Sequence, residues 1–389
     1  MKVGVISLYY KNHNLGGLLQ SYAVIALLNE YGLEAEQICY DLSISNSQSR
    51  TYQRNRRKKL LLSSGFQMVF SKLKRKIRRV LHKPSNISNE LRKQLSVFRE
   101  FEEFIHHSTS VYNIDTISEA NDDYDAFIVG SDQVWNLGQL AHDAMYLGFA
   151  DSSKKRITYA VSMGKASINN YEKPIFLSKI SNFSEIAVRE RSLGKLISSI
   201  SNIKWTSVLD PTLLLSYDQW ETIENIAVLP NDRYIFCYFL GDCKWQRKFV
   251  QNYADSKGLR IIDIPYVMGT KRKSDSFLKS DSRCDVGPRE FIALVRNAEC
   301  VFTDSFHAVA FSVNFQKSFY VFDRDGLSGS KSINSRITDF LDSLSLSNRR
   351  IIAAKYEISN EEIDWMQVGA ILEKERIRSR EWLKRQLLS

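Results

Sequence analysis

Two side chains stand where this chain can handle charge. His307 belongs to Glu299–Phe311, ECVFTDSFHAVAF, in which a short apolar strand passes through a polar turn into an apolar helix. Cys300–Phe302 has the hydrophobicity of a buried strand, and Thr303, Asp304 and Ser305 are residue types that cap a helix start. His307 then falls in the first helical turn, where unpaired backbone N–H groups and the positive end of the helix dipole favour an anion. An imidazole there suits proton transfer near neutral pH, and the same placement also fits a capping or core histidine. Arg189 lies with Glu190 and Arg191 at the end of an apolar strand that starts at Ile186. Its planar fork matches a carboxylate or phosphate; the plainer reading is an ion pair with Glu190.

A second group of residues suits hydroxyls. The strand Tyr124–Val129 ends in Gly130-Ser131-Asp132-Gln133, and Asp132, Gln133 and Asn136 can hydrogen-bond a sugar while Trp135 offers a ring face. The alternative is a helix cap at Ser131 or Asp132 with Trp135 in the core. Between the first strand, Lys2–Leu8, and a helix over Leu18–Tyr31 lies a loop with Asn12, His13 and Asn14. Gly16 and Gly17 follow them and either admit a ligand close to backbone or make a tight turn. This diglycine is not the spaced fingerprint of a dinucleotide site.

These segments need a scaffold that brings strand ends together. Strand and helix patterns alternate through the chain, with further strands at Glu34–Tyr40, Arg156–Ser162, Tyr234–Leu240, Ile261–Ile264 and Ser318–Phe322. Helices are expected over Leu91–His107, Gln246–Lys257, Arg289–Asn297 and Ile337–Leu344. A chain of 389 residues suits two cores. The expected fold is therefore α/β, two Rossmann-like domains facing a cleft. The first is expected over residues 1–200 with a basic insertion at 45–90, the second over 205–370, and a C-terminal helix over 371–389. Gly269–Asp285, polar and carrying Lys271, Arg272 and Lys273, reads as a mobile loop over the cleft.

Composition narrows the partners. The net charge is +10, and residues 50–83 concentrate it, with no acidic residue between Asp41 and Glu90. This stretch reads either as a basic amphipathic segment for an anionic membrane surface or as a solvated insertion. No nucleic-acid module is present, and basic charge alone does not make one. No apolar run is long enough to span a bilayer and the N-terminus enters a strand directly, so a cytoplasmic protein is expected. The five cysteines are scattered without metal-ligand spacing and are expected as reduced thiols; neither a metal nor a cofactor is expected.

Several blocks together resemble the polysaccharide pyruvyl transferases: VGVISLYYKNHNLGGLLQSYAV, YDAFIVGSDQVWN, KRITYAVSMG, AVRERS, VLDPTLLL, GPREFIALVRNAECVFTDSFHAVAFSV with FYVFDR, and NSRITDFLDSLSLSNR. They occur in the family's order across nearly the whole chain. The resemblance implies a GT-B-like pair of domains and transfer of the enolpyruvyl group of phosphoenolpyruvate to two sugar hydroxyls as a ketal. The acceptor would be an oligosaccharide or lipid-linked glycan. It also implies a donor-binding set of His307, Arg189 and an arginine two residues before the histidine. Here that position is Ser305, so the missing charge falls to backbone amides, Arg324 or Arg336. Asn14, Gly16, Gly17, Asp132, Gln133 and Trp135 would form the acceptor side. Two other readings stay open, a glycosyltransferase using a nucleotide-sugar and a non-catalytic glycan-binding relative.

Overall fold

The computed structural model describes residues 1–43, 54–55, 89–137, 142–164, 167–265, 272–324, 335–352, 358–359 and 361–388. The expected basic insertion therefore lies almost wholly outside the described residues, as does the 269–271 part of the expected cleft loop.

The first half builds a parallel sheet from β1 (Lys2–Ile6), β2 (Glu34–Tyr40), β3 (His107–Tyr112), β4 (Ala126–Val129) and β5 (Lys155–Thr158) in the order β3-β2-β1-β4-β5. A bridge from Val161 to Val188 continues it into the parallel pair β6 (Glu185–Val188) and β7 (Lys204–Ser207). Lys204–Ser207 thus extends the first half past residue 200. The second half has six parallel strands. They are β8 (Tyr234–Tyr238), β9 (Arg260–Asp263), β10 (Ser280–Ser282), β11 (Cys300–Thr303), β12 (Phe319–Phe322) and β13 (Arg350–Ile351), in the order β10-β9-β8-β11-β12-β13. Ser280–Ser282 was expected in a loop. It pairs instead with Ile261–Asp263, because the edge of a sheet accepts a polar strand whose hydroxyls find partners, here the Asp263 carboxylate at 2.6 and 2.7 Å.

The helices follow from the crossovers that parallel strands require. The first half carries α1 (Leu15–Glu30), α2 (Asn89–Glu102), α3 (Lys173–Ile180) and α4 (Arg191–Ile200). α5 (Tyr217–Glu221) leads into the second half, which carries α6 (Lys244–Lys257), α7 (Pro288–Asn297), α8 (Phe306–Asn314) and α9 (Ser335–Ser343). α1 and α8 are apolar on every side and buried, as a helix clamped between layers must be. They meet in one continuous apolar core that joins the halves and includes Tyr9, Leu18, Phe98, Trp220, Phe291, Phe306 and Phe311.

The last helix, α10 (Trp365–Leu388), begins ahead of the expected residue 371 and returns to the first half. Its Arg376, Arg378 and Arg380 donate to the carbonyls of Leu213, Ser207 and Leu214, and Ser379 Oγ accepts from Leu209 N at 3.0 Å. The linker between the halves is thereby fixed along its length. No described helix is long and apolar enough to cross a membrane.

Candidate functional site

In an open parallel sheet, the crevice for a ligand lies where neighbouring strands send their connections to opposite sides. β1 and β4 are that pair in the first half, β8 and β11 in the second. The loops beyond all four converge on one seam. There the structure brings together Arg189 and Glu190 after β6, Asp132 after β4, Gly16 at the start of α1, His307 in the first turn of α8, and Arg336 in the first turn of α9. The linker adds Asp210, which had no expected role.

Asp210 is the centre of the cluster. Its Oδ2 accepts from Arg189 Nη1 at 2.7 Å and from Ser131 Oγ at 3.0 Å, and lies 3.7 Å from His307 Nε2. Oδ1 is held by the N–H and hydroxyl of Thr212 at 3.1 and 2.8 Å. Arg189 reaches a second carboxylate through Nη2, 3.2 Å from Asp132 Oδ1, and Arg336 Nη1 lies 3.4 Å from that same oxygen. Both guanidiniums sit over the Phe306 ring, at 4.7 and 6.0 Å, an arrangement that favours cations. The fork of Arg189 is buried at 8 % exposure and held by two carboxylates rather than free, and Glu190, the ion-pair partner of the plainer reading, stands 3.9 Å from its Nε.

His307 lies across the seam against α1. A Cβ built on Gly16 would stand 1.9 Å from His307 Nδ1, so only a glycine lets the imidazole rest there. Asn14 caps α1 by accepting from Gly16 N at 3.0 Å. In a helix Gly→Ala normally stabilises by about 1 kcal/mol. Here the contact reverses the sign, because His307 is only 6 % exposed and has nowhere to retreat. Gly16→Ala is expected to cut turnover about 100-fold or more, with the circular dichroism spectrum unchanged; wild-type turnover in this variant would contradict the contact.

Other expected residues take different places. Trp135 is fully buried, stacked on Tyr146 at 5.4 Å, and donates from Nε1 to Met145 O at 2.7 Å. It presents no face to a sugar; the apolar surroundings of Val134–Leu137 pull it into the core of the first half. Gly17 is buried as well, its carbonyl accepting from Gln20 and Ser21. Asp132 and Gln133 face cations rather than an open acceptor surface. With its amide oxygen turned to Arg336, Gln133 accepts from both Nη atoms at 2.7 and 3.1 Å. Asp304 is not a cap, because its carboxylate accepts from Leu240 N and Gly241 N, both at 2.6 Å, and ties the ends of β11 and β8 together. Ser305 holds the N-cap position of α8 without a side-chain cap. Glu190, expected only as an ion-pair partner of Arg189, also fixes the loop after β5 by accepting from Ser162 Oγ at 2.8 Å and Met163 N at 3.1 Å.

The electrostatics follow from burial against pairing. Burial raises the Asp210 carboxyl, but the nearby His307 and the charge and hydrogen bond of Arg189 outweigh it and hold the group well below the usual carboxylate range. Asp132 likewise ends below that range, burial being outweighed by Arg189, His307 and Arg336. Burial dominates at Glu190 and Asp304, whose carboxyls are raised. Arg336 is pushed down to about 10, first by burial and then by the Arg189 charge beside it. It is the incompletely compensated cation of the site.

A depressed carboxyl contributes stability that is complete above its unfolded pKa and is lost as pH falls toward the folded value. Asp210 and Asp132 should therefore steepen the loss of stability below about pH 4, while Glu190 and Asp304 oppose it. Asp210→Asn is expected to flatten that acid limb in thermal melts across pH 3 to 7; an unchanged limb would contradict the buried pairing.

Buried donors remain over. At this seam, among the described residues, His307 Nε2 and the Nε atoms of Arg189, Arg324 and Arg336 have no hydrogen-bond partner. Buried nitrogens of this kind call for an acceptor, and four of them around one seam suit an anion.

Comparison with solved structures agrees with the fold. A putative UDP-N-acetylglucosamine 2-epimerase from Listeria monocytogenes matches with a TM-score of 0.50 at 12% identity, over 96% of this chain and 94% of that one. The UDP-GlcNAc 2-epimerase of Methanocaldococcus jannaschii matches at 0.44 and 13% identity, over 96% and 99%. The E. coli ADP-heptose lps heptosyltransferase II matches at 0.37 and 9%, over 96% and 99%. At 12% identity the Listeria match shows the fold alone, two Rossmann-like domains in the GT-B arrangement. No curated protein sequence matches the chain. The sequence profile for polysaccharide pyruvyl transferase covers residues 14–326, a span that takes in Arg189, Asp210 and His307, and the chain belongs to that family.

Proposed function

We propose that this protein transfers pyruvate from phosphoenolpyruvate to two hydroxyls of one sugar residue in a cell-surface polysaccharide or its lipid-linked precursor, forming a pyruvate ketal. The observation that carries the reading is the set of buried, unpartnered N–H groups beside an incompletely compensated Arg336. Phosphoenolpyruvate is small and carries both a carboxylate and a phosphate, which is the charge such a site lacks. Arg189 and Arg336 would hold it from the two halves, and Arg336 would supply the guanidinium that Ser305 does not.

The chemistry needs one proton delivered to carbon. The methylene carbon of the donor gains a proton and becomes methyl, one sugar oxygen bonds to the adjacent carbon, the second sugar oxygen bonds there as the C–O bond to phosphate breaks, and phosphate leaves. Two hydroxyl protons are lost; one balances the new C–H bond and the other leaves with phosphate. His307, with Nε2 unpartnered and 3.7 Å from Asp210 Oδ2, is the proton donor in this reading. For the acceptor, a polar crevice of about 260 Å³ opens at the carboxyl ends of β1 and β2, lined by Ser7, Tyr10, Lys11, Asn12, Asp41 and Ser43 among others. Hydroxyl, amide and charged groups of this kind suit a saccharide.

The donor class is tested by thermal melts with phosphoenolpyruvate, UDP and CDP in parallel. A rise in melting temperature with phosphoenolpyruvate alone is expected. Stabilisation by the nucleotides and not by phosphoenolpyruvate would replace this reading with a nucleotide-sugar glycosyltransferase.

A further inference from the structure

We propose that Asp132 is an internal counter-anion, seated between Arg189 and Arg336 in the empty site and displaced by the carboxylate or phosphate of the donor. The inference rests on the donor reading above and adds what that donor must displace. One Asp132 oxygen lies 3.2 Å from Arg189 Nη2 and 3.4 Å from Arg336 Nη1. An oxygen shared between two guanidiniums stands where an incoming anion would place its own.

The position between the arginines is already filled. The cavity of about 40 Å³ beside Arg189, Asp210, Phe306 and Arg336 is not lined by Asp132 or His307, so an anion that is to sit between the two guanidiniums takes the place that the Asp132 oxygen now holds.

Of the three carboxylates around Arg189 only one is built to move, since Glu190, 3.9 Å from Nε, is buried and tied to Ser162 and Met163. Asp210 is fully enclosed and engages four donors, from Arg189, Ser131 and the N–H and hydroxyl of Thr212. Asp132 keeps a tenth of its side chain in contact with solvent, and its bonds to the arginines are the longer ones. Its backbone is anchored independently, the carbonyl accepting from Val134 N at 2.9 Å and Ser162 N at 3.1 Å. The side chain can therefore swing while the loop stays in place. Exchanging one carboxylate for another also keeps an anion between the two arginines before and after.

The consequence is that removing an acidic residue from the site improves anion binding. Asp132→Asn keeps the shape, and asparagine tolerates the positive φ of 60° at this position. Calorimetric titration of the full-length protein with phosphoenolpyruvate, and separately with inorganic phosphate, should show about tenfold tighter binding to Asp132→Asn than to wild type. Asp132→Gly, equally free at this φ, must move in the same direction. Asp210→Asn, which loosens the fixed partner of Arg189, should bind more weakly than wild type. If wild type binds phosphoenolpyruvate and both Asp132 variants bind it no more tightly, the exchange is refuted while the donor assignment stands. If wild type binds inorganic phosphate but not phosphoenolpyruvate, the donor assignment falls; tighter phosphate binding by the Asp132 variants would then still support the exchange, and unchanged phosphate binding would overturn it.

Discussion

Replacing His307 with alanine is expected to lower ketal formation about 1000-fold, within the range that a positioned general acid contributes, while the protein remains folded. The asymmetry comes from what the substitution leaves behind. Asp210 keeps Arg189, Ser131 and Thr212, so no buried charge is stranded, and the lost side chain leaves a small hole at the start of α8. Phosphoenolpyruvate binding should persist through Arg189 and Arg336. Single-turnover phosphate release measured beside a binding titration separates the two effects. Wild-type turnover would remove His307 from the chemistry, and loss of binding equal to the loss of turnover would make it a donor anchor instead.

Arg189→Ala should fail differently. Its guanidinium is the shared partner of Asp132 and Asp210, both buried, and stripping a cation from such a network costs about 3 to 5 kcal/mol. Donor binding and stability should therefore fall together in denaturant unfolding and in titration. Arg189→Lys separates them again. An ammonium restores the charge and part of the stability, yet cannot reach Asp210 through one nitrogen and Asp132 through another as the planar fork does. Full stability in the alanine variant would mean that the carboxylates find other partners and that the network is not what holds the seam.

Much of this was readable from residue patterns, and the exceptions have physical reasons. The central strands β1, β4, β8, β11 and β12 are dense in valine, isoleucine and aromatic residues because both of their faces are covered. The strands that escaped notice, His107–Tyr112, Lys204–Ser207, Ser280–Ser282 and Arg350–Ile351, lie at or near sheet edges, where pairing rather than hydrophobicity defines them. His307 and Arg189 stood out because charge directly after an apolar strand is unusual. Asp210 did not, although Asp-Pro between two apolar runs carried the signal, since a carboxylate in such surroundings must find a buried partner. Its partners are 21 and 79 residues away in sequence, a pairing that only the fold reveals. Asp132 and Gln133 were read as hydroxyl-binding for the same reason; nothing local states that Arg336 arrives beside them from the other half. Trp135 showed an aromatic in a ligand loop, and its ring turned inward because its neighbours are apolar.

The central claim is that one small, doubly charged donor is bound across the seam and loses its phosphate to a sugar diol. Its most direct measurement is release of inorganic phosphate from phosphoenolpyruvate by the purified protein with a panel of simple glycosides, with the products weighed by mass spectrometry. The account predicts phosphate release that depends on glycoside, matched by a product heavier by one pyruvic acid less one water. Phosphate release with no such adduct, or adducts formed only from nucleotide-sugars, would contradict it.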